Sequence, residues 1–415
     1  MTLHAPSRRE LLLASGVLFA WAHLPREARA EGRDPRLLVV VLRGALDGLA
    51  TVAPVGDPDW VRLRGDKAFN LDGAMPALSL DNFFALNPAM PNLHRMYKAG
   101  QASIVHAVAS PYRERSHFDG QDVLESGLTK PGASDTGWLN RALASLQSAG
   151  RVSDKEAFAV GPVTPLIVRG PAPVLSWTPP KLPPATDDTL MRLLDLYRHT
   201  DSALARALEE RVDLAAIARA GGMDMSPHKP GSPRPQGPGA AVRAYFTEAA
   251  GTAAKFMARD DGPRVGALAF DGWDTHQDEG AANGRLAALL GALDGALGAV
   301  ESGMGSAWKE TAVAVITEFG RTARINGTEG TDHGTATVAL LAGGAIKGGR
   351  VIADWPGLSE AALYQNRDLK PTADLRAILK GVLRDHLRID ERALASNVFP
   401  GSAAVRPTNG LVTAA

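Results

Sequence analysis

Leu37-Leu38-Val39-Val40-Val41-Leu42 is an unbroken apolar run, rich in β-branched residues, that leads directly into Gly44-Ala45-Leu46-Asp47-Gly48. A strand wetted on one face alternates apolar and polar residues, whereas a continuous apolar run suits a strand covered on both faces. Runs of the same kind recur at Ser103–Val108, Val265–Phe270, Ala312–Ile316 and Val338–Leu341. Helical patterns lie between them at Asn92–Ala99, Ala281–Glu301 and Thr372–Leu387. This alternation predicts an α/β fold with a mainly parallel central sheet and helices on both faces. Polar residues just past the strand ends then gather at one sheet edge, where open α/β folds place their ligands.

The middle of the chain departs from this rhythm. Pro179–Asp188 and Ser226–Gly239 are Pro-rich and cannot hold regular elements. Between them Leu190, Leu193, Leu194, Tyr197, Leu204, Leu208 and Val212 follow helical spacing. Residues 151–240 therefore read as a partly helical cap inserted into one α/β domain spanning 31–415, with 226–239 as a mobile loop.

Residues 1–30 read as an export signal. Ser7-Arg8-Arg9-Glu10-Leu11-Leu12 precedes an apolar stretch, Leu13–Ala22, and a small-residue cleavage pattern, Ala28-Arg29-Ala30. Paired arginines before Leu-Leu point to the twin-arginine translocase, which exports folded proteins, so a periplasmic or secreted location is expected. The apolar stretch is shorter than the roughly 20 residues a bilayer span needs, and no later segment is expected to approach that length, so the mature form should hold no stable span. Lys plus Arg number 45 and Asp plus Glu 45. With no net field, a nucleic-acid partner is not expected. The chain has no cysteine. Disulfides, thiolate metal sites and cysteine nucleophiles are thereby excluded, and any metal must use imidazole and carboxylate.

Four polar clusters follow the expected strands. Asp47, after the first, suits either a helix cap or a metal ligand. Arg113-Glu114-Arg115-Ser116-His117-Phe118-Asp119 follows the second, and Asp271-Gly272-Trp273-Asp274-Thr275-His276 the third. Thr317-Glu318-Phe319-Gly320-Arg321 ends the fourth, and Thr331-Asp332-His333 precedes the fifth. A fold gains nothing from gathering carboxylates unless a cation neutralises them. Asp47, Asp274, His276, Glu318, Asp332 and His333 supply enough ligands for one divalent ion or two, of zinc, manganese or magnesium. Two ions would clamp the attacking and leaving oxygens of an ester, with Arg113, Arg115 and Arg321 on its non-bridging oxygens.

The succession of Gly-x-x-Asp-Gly, Arg-Ser-His-Phe-Asp, Asp-Gly-Trp-Asp-Thr-His, Glu-Phe-Gly-Arg-Thr and Gly-Thr-Asp-His-Gly-Thr-Ala, closing on Gly343–Val351 and Asp354-Trp355-Pro356-Gly357, resembles the bacterial domain-of-unknown-function 1501 family. The resemblance covers essentially the whole mature chain. It implies a fold of the alkaline phosphatase and sulfatase superfamily and a twin-arginine signal. It places the superfamily's first-strand metal aspartate on Asp47, and its nucleophile on Ser116, eleven positions before Gly127. The later metal pair falls on Asp274 and His276, with Asp271 as an alternative to Asp274. Glu318 stands where that superfamily has Asp-His, and Asp332 with His333 stand where its last metal histidine falls. Ala109-Ser110-Pro111-Tyr112-Arg113 carries alanine at the position a sulfatase modifies, which argues against formylglycine chemistry. Two functions are compatible with these residues. One is an exported metal-dependent hydrolase of phosphate or sulfate esters, small or polymeric, with Ser116 as nucleophile and His117 orienting it or binding metal. The other is a non-catalytic binding protein of the same fold at the cell surface.

Overall fold

The computed structural model describes residues 18–22, 33–72, 75–148, 165–172, 174–177, 239–260 and 262–413. Most of the expected cap, its Pro-rich loop and most of the leader lie outside the described residues. The described strands are β1 (Leu18–Ala22), β2 (Arg36–Arg43), β3 (Val52–Ala53), β4 (Leu78–Ser79), β5 (Ala85–Leu86), β6 (Ala102–Ala109), β7 (Leu175–Trp177), β8 (Val265–Asp271), β9 (Thr311–Thr317), β10 (Thr337–Ala342), β11 (Arg350–Ile352) and β12 (Ala373–Asp374). The longer helices are α1 (Pro91–Lys98), α2 (His117–Ser126), α3 (Trp138–Ser148), α4 (Ala240–Ala258), α5 (Arg285–Met304) and α6 (Leu375–Leu387).

All five apolar runs are strands of one sheet, ordered β11-β6-β10-β9-β2-β8-β1-β7 with β12 also on β6, while β3, β5 and β4 form a small sheet of their own. β2 sits between β8 and β9, parallel to both, and is buried almost throughout. Its alternate residues feed two different cores. Leu38, Val40 and Leu42 pack with α1, α4 and α5, whereas Leu37, Val39 and Val41 pack with α3 and α6. The period of two explains the missing polar alternation, because both faces of the strand are interior.

The sheet is mostly parallel, with β10 and β1 running against the other strands. β10 reverses because residues 318–336, which join it to β9, contain no helix to carry the chain back across the sheet. The reversal has a functional result. The ends of β2, β6, β8 and β9 and the start of β10 all face the same edge, so all four polar clusters meet there. Leu18–Ala22, inside the apolar run read as a leader, pairs antiparallel with β8 on one side and β7 on the other. It occupies backbone donors and acceptors that an edge strand otherwise presents to solvent.

The helix candidates fall within a few residues of α1, α5 and α6. One expectation needs correction. Arg285–Glu310 is long and apolar enough to cross a membrane, with mean hydropathy 1.3. Its apolarity has a local use, since Leu286, Leu290, Leu293 and Leu297 are buried in the core shared with α4. The contact face is built of small residues, with Gly251 opposite Ala299 and Gly303 opposite Ala254, so the two helices approach closely.

Two histidines are sealed into this framework without charge. His106 on β6 donates from Nε2 to the Val52 carbonyl at 2.9 Å, while its Nδ1 accepts from the Ala107 N–H at 2.8 Å, which fixes the neutral tautomer. His386 on α6 bonds the Arg36 carbonyl at 2.8 Å. Burial lowers both to about 4. An unfolded chain takes up these protons near pH 6.5, which the fold refuses until about 4, so their stabilisation is complete above 6.5 and is lost as pH falls toward 4. The loss is on the order of 3 kcal/mol for each histidine. Denaturant melts between pH 7 and 4 should therefore steepen with acid, and His106→Gln should flatten the slope by about one proton. An unchanged slope in that variant would contradict this assignment.

Candidate metal centre

The loop after β6 delivers the first component. Arg115 turns the chain through a left-handed conformation (φ 61°), so Ser116 lies at the start of α2 and His117 in its first turn. Ser116 holds N-cap geometry, yet its side chain does not cap the helix. Its N–H donates to the Tyr112 hydroxyl at 3.1 Å, and its carbonyl receives the Gly120 N–H at 2.8 Å. The residue is half-buried and immediately precedes His117.

His117 from the first turn of α2, and Asp274 and His333 from two loops, bring one ligand atom each within 4.8 Å of the others. Asp274 Oδ1 is 3.5 Å from His117 Nε2 and 3.5 Å from His333 Nε2. His276 joins from the β8 loop, with Nε2 3.1 Å from the same carboxylate oxygen and 2.9 Å from His333 Nε2. The backbone permits this approach where side chains are absent. A Cβ on Gly44 (φ 121°) would lie 2.5 Å from the Asp274 nitrogen, and one on Gly330 would lie 2.3 Å from the His276 carbonyl oxygen.

Each imidazole is oriented from behind. Glu318 Oε1 accepts from His117 Nδ1 at 2.9 Å, the Arg115 carbonyl from His333 Nδ1 at 2.8 Å, and Asp332 Oδ1 lies 3.5 Å from His276 Nδ1. His117 Nε2 is buried with no hydrogen-bond partner and faces the cluster. Burial works against charge on His117, but the Asp274 and Glu318 carboxylates outweigh it and raise its pKa to about 9. Burial pushes Asp274 upward, and the proximity of His117 and His333 together with the Arg321 bond more than reverses this, holding it far below the ordinary carboxylate range. Glu318 is likewise held low against its burial, chiefly by His117. Without metal the site is thus an ion-paired network. Because His117 is raised above its unfolded value, that stabilisation is complete below about pH 6.5 and is lost as pH rises through about 9.

The remaining candidates lie in supporting layers. Glu318 is fully buried and receives the Gly44 N–H, Gln121 and Thr317 as well as His117. Asp332 accepts from Asn326 at 3.1 Å and backs His276. Asp271 ends β8 opposite Arg43, whose charge it helps to raise. The three arginines expected on a substrate anion are bound to protein groups. Arg113 donates to the Ser110 and Tyr112 carbonyls, and Arg115 to Asp368 and Gln365. Arg321 is buried and donates to the Ala45, Gly44, Trp273 and Thr331 carbonyls and to Asp274.

Asp47 takes the cap alternative. Its Oδ1 receives the Ala50 N–H at 3.0 Å, and both carboxylate oxygens are engaged by Arg64, at 2.5 and 3.0 Å. Both residues are buried, so removing either leaves a lone charge inside. Asp47→Ala or Arg64→Ala should each cost about 3–5 kcal/mol in chemical denaturation. An apolar pair in their place should cost much less, and equal losses for single and double variants would show that no charge pairing is at work.

The sequence reading missed two acidic residues. Glu279 accepts from Thr275 and Thr331, neighbours of the ligands on two loops, at 3.0 and 2.7 Å. Burial, and then the nearby Asp47 charge, raise Glu279 to about 8. Asp368 gathers Arg115, Arg367 and Thr335 around His333. Glu279 closes the same polar run past β8, Asp274–Glu279, that supplies Asp274 and His276, so its signal lay in the sequence, whereas Asp368 follows no strand end.

A family model described as a protein of unknown function (DUF1501) matches residues 34–398, most of the chain. The chain belongs to this family. Every residue of the metal centre lies within the matched span. No curated protein and no solved structure matches the chain.

Proposed function

We propose that this DUF1501 protein is an exported, metal-dependent hydrolase of phosphate or sulfate esters in which Ser116 is the nucleophile. The observation that carries the reading is the convergence of His117, Asp274 and His333 from three separate segments, with Ser116 next to His117 in the chain at the head of α2. Here Ser116 Oγ attacks the phosphorus or sulfur, the ester bond to the leaving oxygen breaks, and the alcohol departs with a proton. Water then attacks the serine ester, releasing the acid and restoring the hydroxyl. The N–H groups in the first turn of α2 favour the developing negative charge. A divalent ion held by His117, Asp274 and His333 supplies a Lewis acid for the ester oxygens when bound. Glu318 and the Arg115 carbonyl keep two of the imidazoles aimed at it. Substrates would be small-molecule or polymeric esters met in the periplasm or outside the cell, after passage through the twin-arginine translocase.

The decisive experiment is a panel of aryl phosphates, phosphodiesters and aryl sulfates offered to metal-loaded protein. Turnover of at least one class that chelator stops supports the proposal; a fully metal-loaded protein inert to the whole panel would refute it. One observation favours the second reading, a non-catalytic binding protein. Arg113, Arg115 and Arg321 are committed to protein acceptors, so an anionic group would rely on the ion and the helix end alone.

A further inference from the structure

The geometry points to one ion of the imidazole-preferring class, zinc-like, held by His117, Asp274 and His333, with His276 as a fourth ligand that can be exchanged. This inference deepens the proposed hydrolase site and rests on that reading only for its use, not for its chemistry.

The donor set comes first. Three imidazole nitrogens and one carboxylate suit zinc and its neighbours in the first transition row, whereas magnesium demands six oxygens in a near-ideal octahedron. All three histidines present Nε2, and each Nδ1 faces an acceptor: Glu318, the Arg115 carbonyl or Asp332. That is the outer layer metal-bound histidines use, since it fixes the tautomer and directs the other lone pair at the ion.

Spacing agrees. A tetrahedral ion with ligands at about 2.05 Å needs donor atoms about 3.4 Å apart. The distances around Asp274 Oδ1 are 3.5, 3.5 and 3.1 Å and the His276–His333 separation is 2.9 Å, while His276 stays outside the set of His117, Asp274 and His333 atoms that all lie within 4.8 Å of one another, as suits a ligand that must swing onto the ion. The buried His117 Nε2, which has no hydrogen-bond partner, is accounted for by the same ion.

The count of one follows from what the two buried carboxylates do. Asp47 is occupied by Arg64, and Glu318 receives four donors. Neither retains the free lone pairs a second ion would require. The ligands are also unequal. His276 is 40 % exposed against 23 % and 24 % for His117 and His333, and its Nδ1 contact to Asp332 is long. Four protein ligands close a zinc site, while catalysis needs an open position. His276 is the ligand that can leave to provide one.

The test uses the purified chain, stripped with chelator and titrated separately with Zn²⁺, Co²⁺ and Mg²⁺, with metal content and the cobalt visible spectrum as readouts. One equivalent of zinc, an intense four-coordinate cobalt spectrum and no displacement by millimolar Mg²⁺ are expected. Two equivalents, no binding, or preference for Mg²⁺ would overturn the inference. His276→Gln should still take up one equivalent, more weakly, with a cobalt spectrum shifted toward higher coordination; His333→Gln should fail to retain it. An unaltered spectrum in His276→Gln, or loss as complete as in His333→Gln, would remove the exchangeable role. Should either variant misfold, Glu318→Gln gives the same information on direction, with affinity expected to fall about 10- to 100-fold; unchanged affinity would count against the site. One bound ion without turnover of any ester would leave this inference standing and defeat the hydrolase, whereas turnover with two bound ions would do the reverse.

Discussion

Ser116→Ala is expected to keep its fold and metal content while losing ester turnover by roughly 10³- to 10⁶-fold. The size follows from the role. A group that forms and breaks the bond cannot be replaced by its neighbours, because His117 is turned toward Asp274 and Glu318, and Arg115 toward Asp368. The structural cost should be small, since the Ser116 side chain caps nothing and its backbone bonds to Tyr112 and Gly120 survive in alanine. Steady-state rates on the most reactive aryl ester, with metal content measured in the same samples, give the comparison. Wild-type rates in the variant would exclude Ser116 as the nucleophile and shift attention to water. A loss of metal in parallel with activity would mean that the hydroxyl supports the centre and does not attack.

The apolar runs were legible because both-face burial leaves a one-dimensional trace: Leu37–Leu42 has no polar residue to lose. The direction of β10 was not. Whether the chain between Thr317 and Thr337 crosses the sheet or returns beside it depends on long-range bridges such as Arg321 to His333 and Thr322 to Asp368. At the site, the order of clusters located the gathering edge, since strand-end residues share an edge once the strands share a direction. Roles within the cluster were less legible. Asp47 and Glu318 look like ligands by type, yet their partners lie 17 and 201 positions away, at Arg64 and His117, and only folding reveals who satisfies whom. The partners of Arg321 were hidden for the same reason. Its sequence neighbourhood resembles an anion site, while its acceptors are carbonyls on two other loops.

That buried position leads to the largest stability effect expected. Arg321 alone links the loop after β2, through Gly44 and Ala45, to the loop after β8, through Trp273 and Asp274, and to Thr331 in its own loop. Its side chain is wholly buried, so in Arg321→Met those carbonyls lose donors with no water to replace them, and Asp274 loses a countercharge. A cost of about 4 kcal/mol or more follows, a large share of the 5–15 kcal/mol typical of a domain. Arg321→Lys should recover little, because an ammonium offers its donors from one point and cannot reach acceptors spread around a planar fork. Bound zinc should narrow the deficit by restoring a positive partner to Asp274, and a substrate-binding arginine would behave differently. Its loss would leave the melting temperature nearly unchanged and raise KM alone, and that outcome in Arg321→Met would return the residue to the anion-binding role.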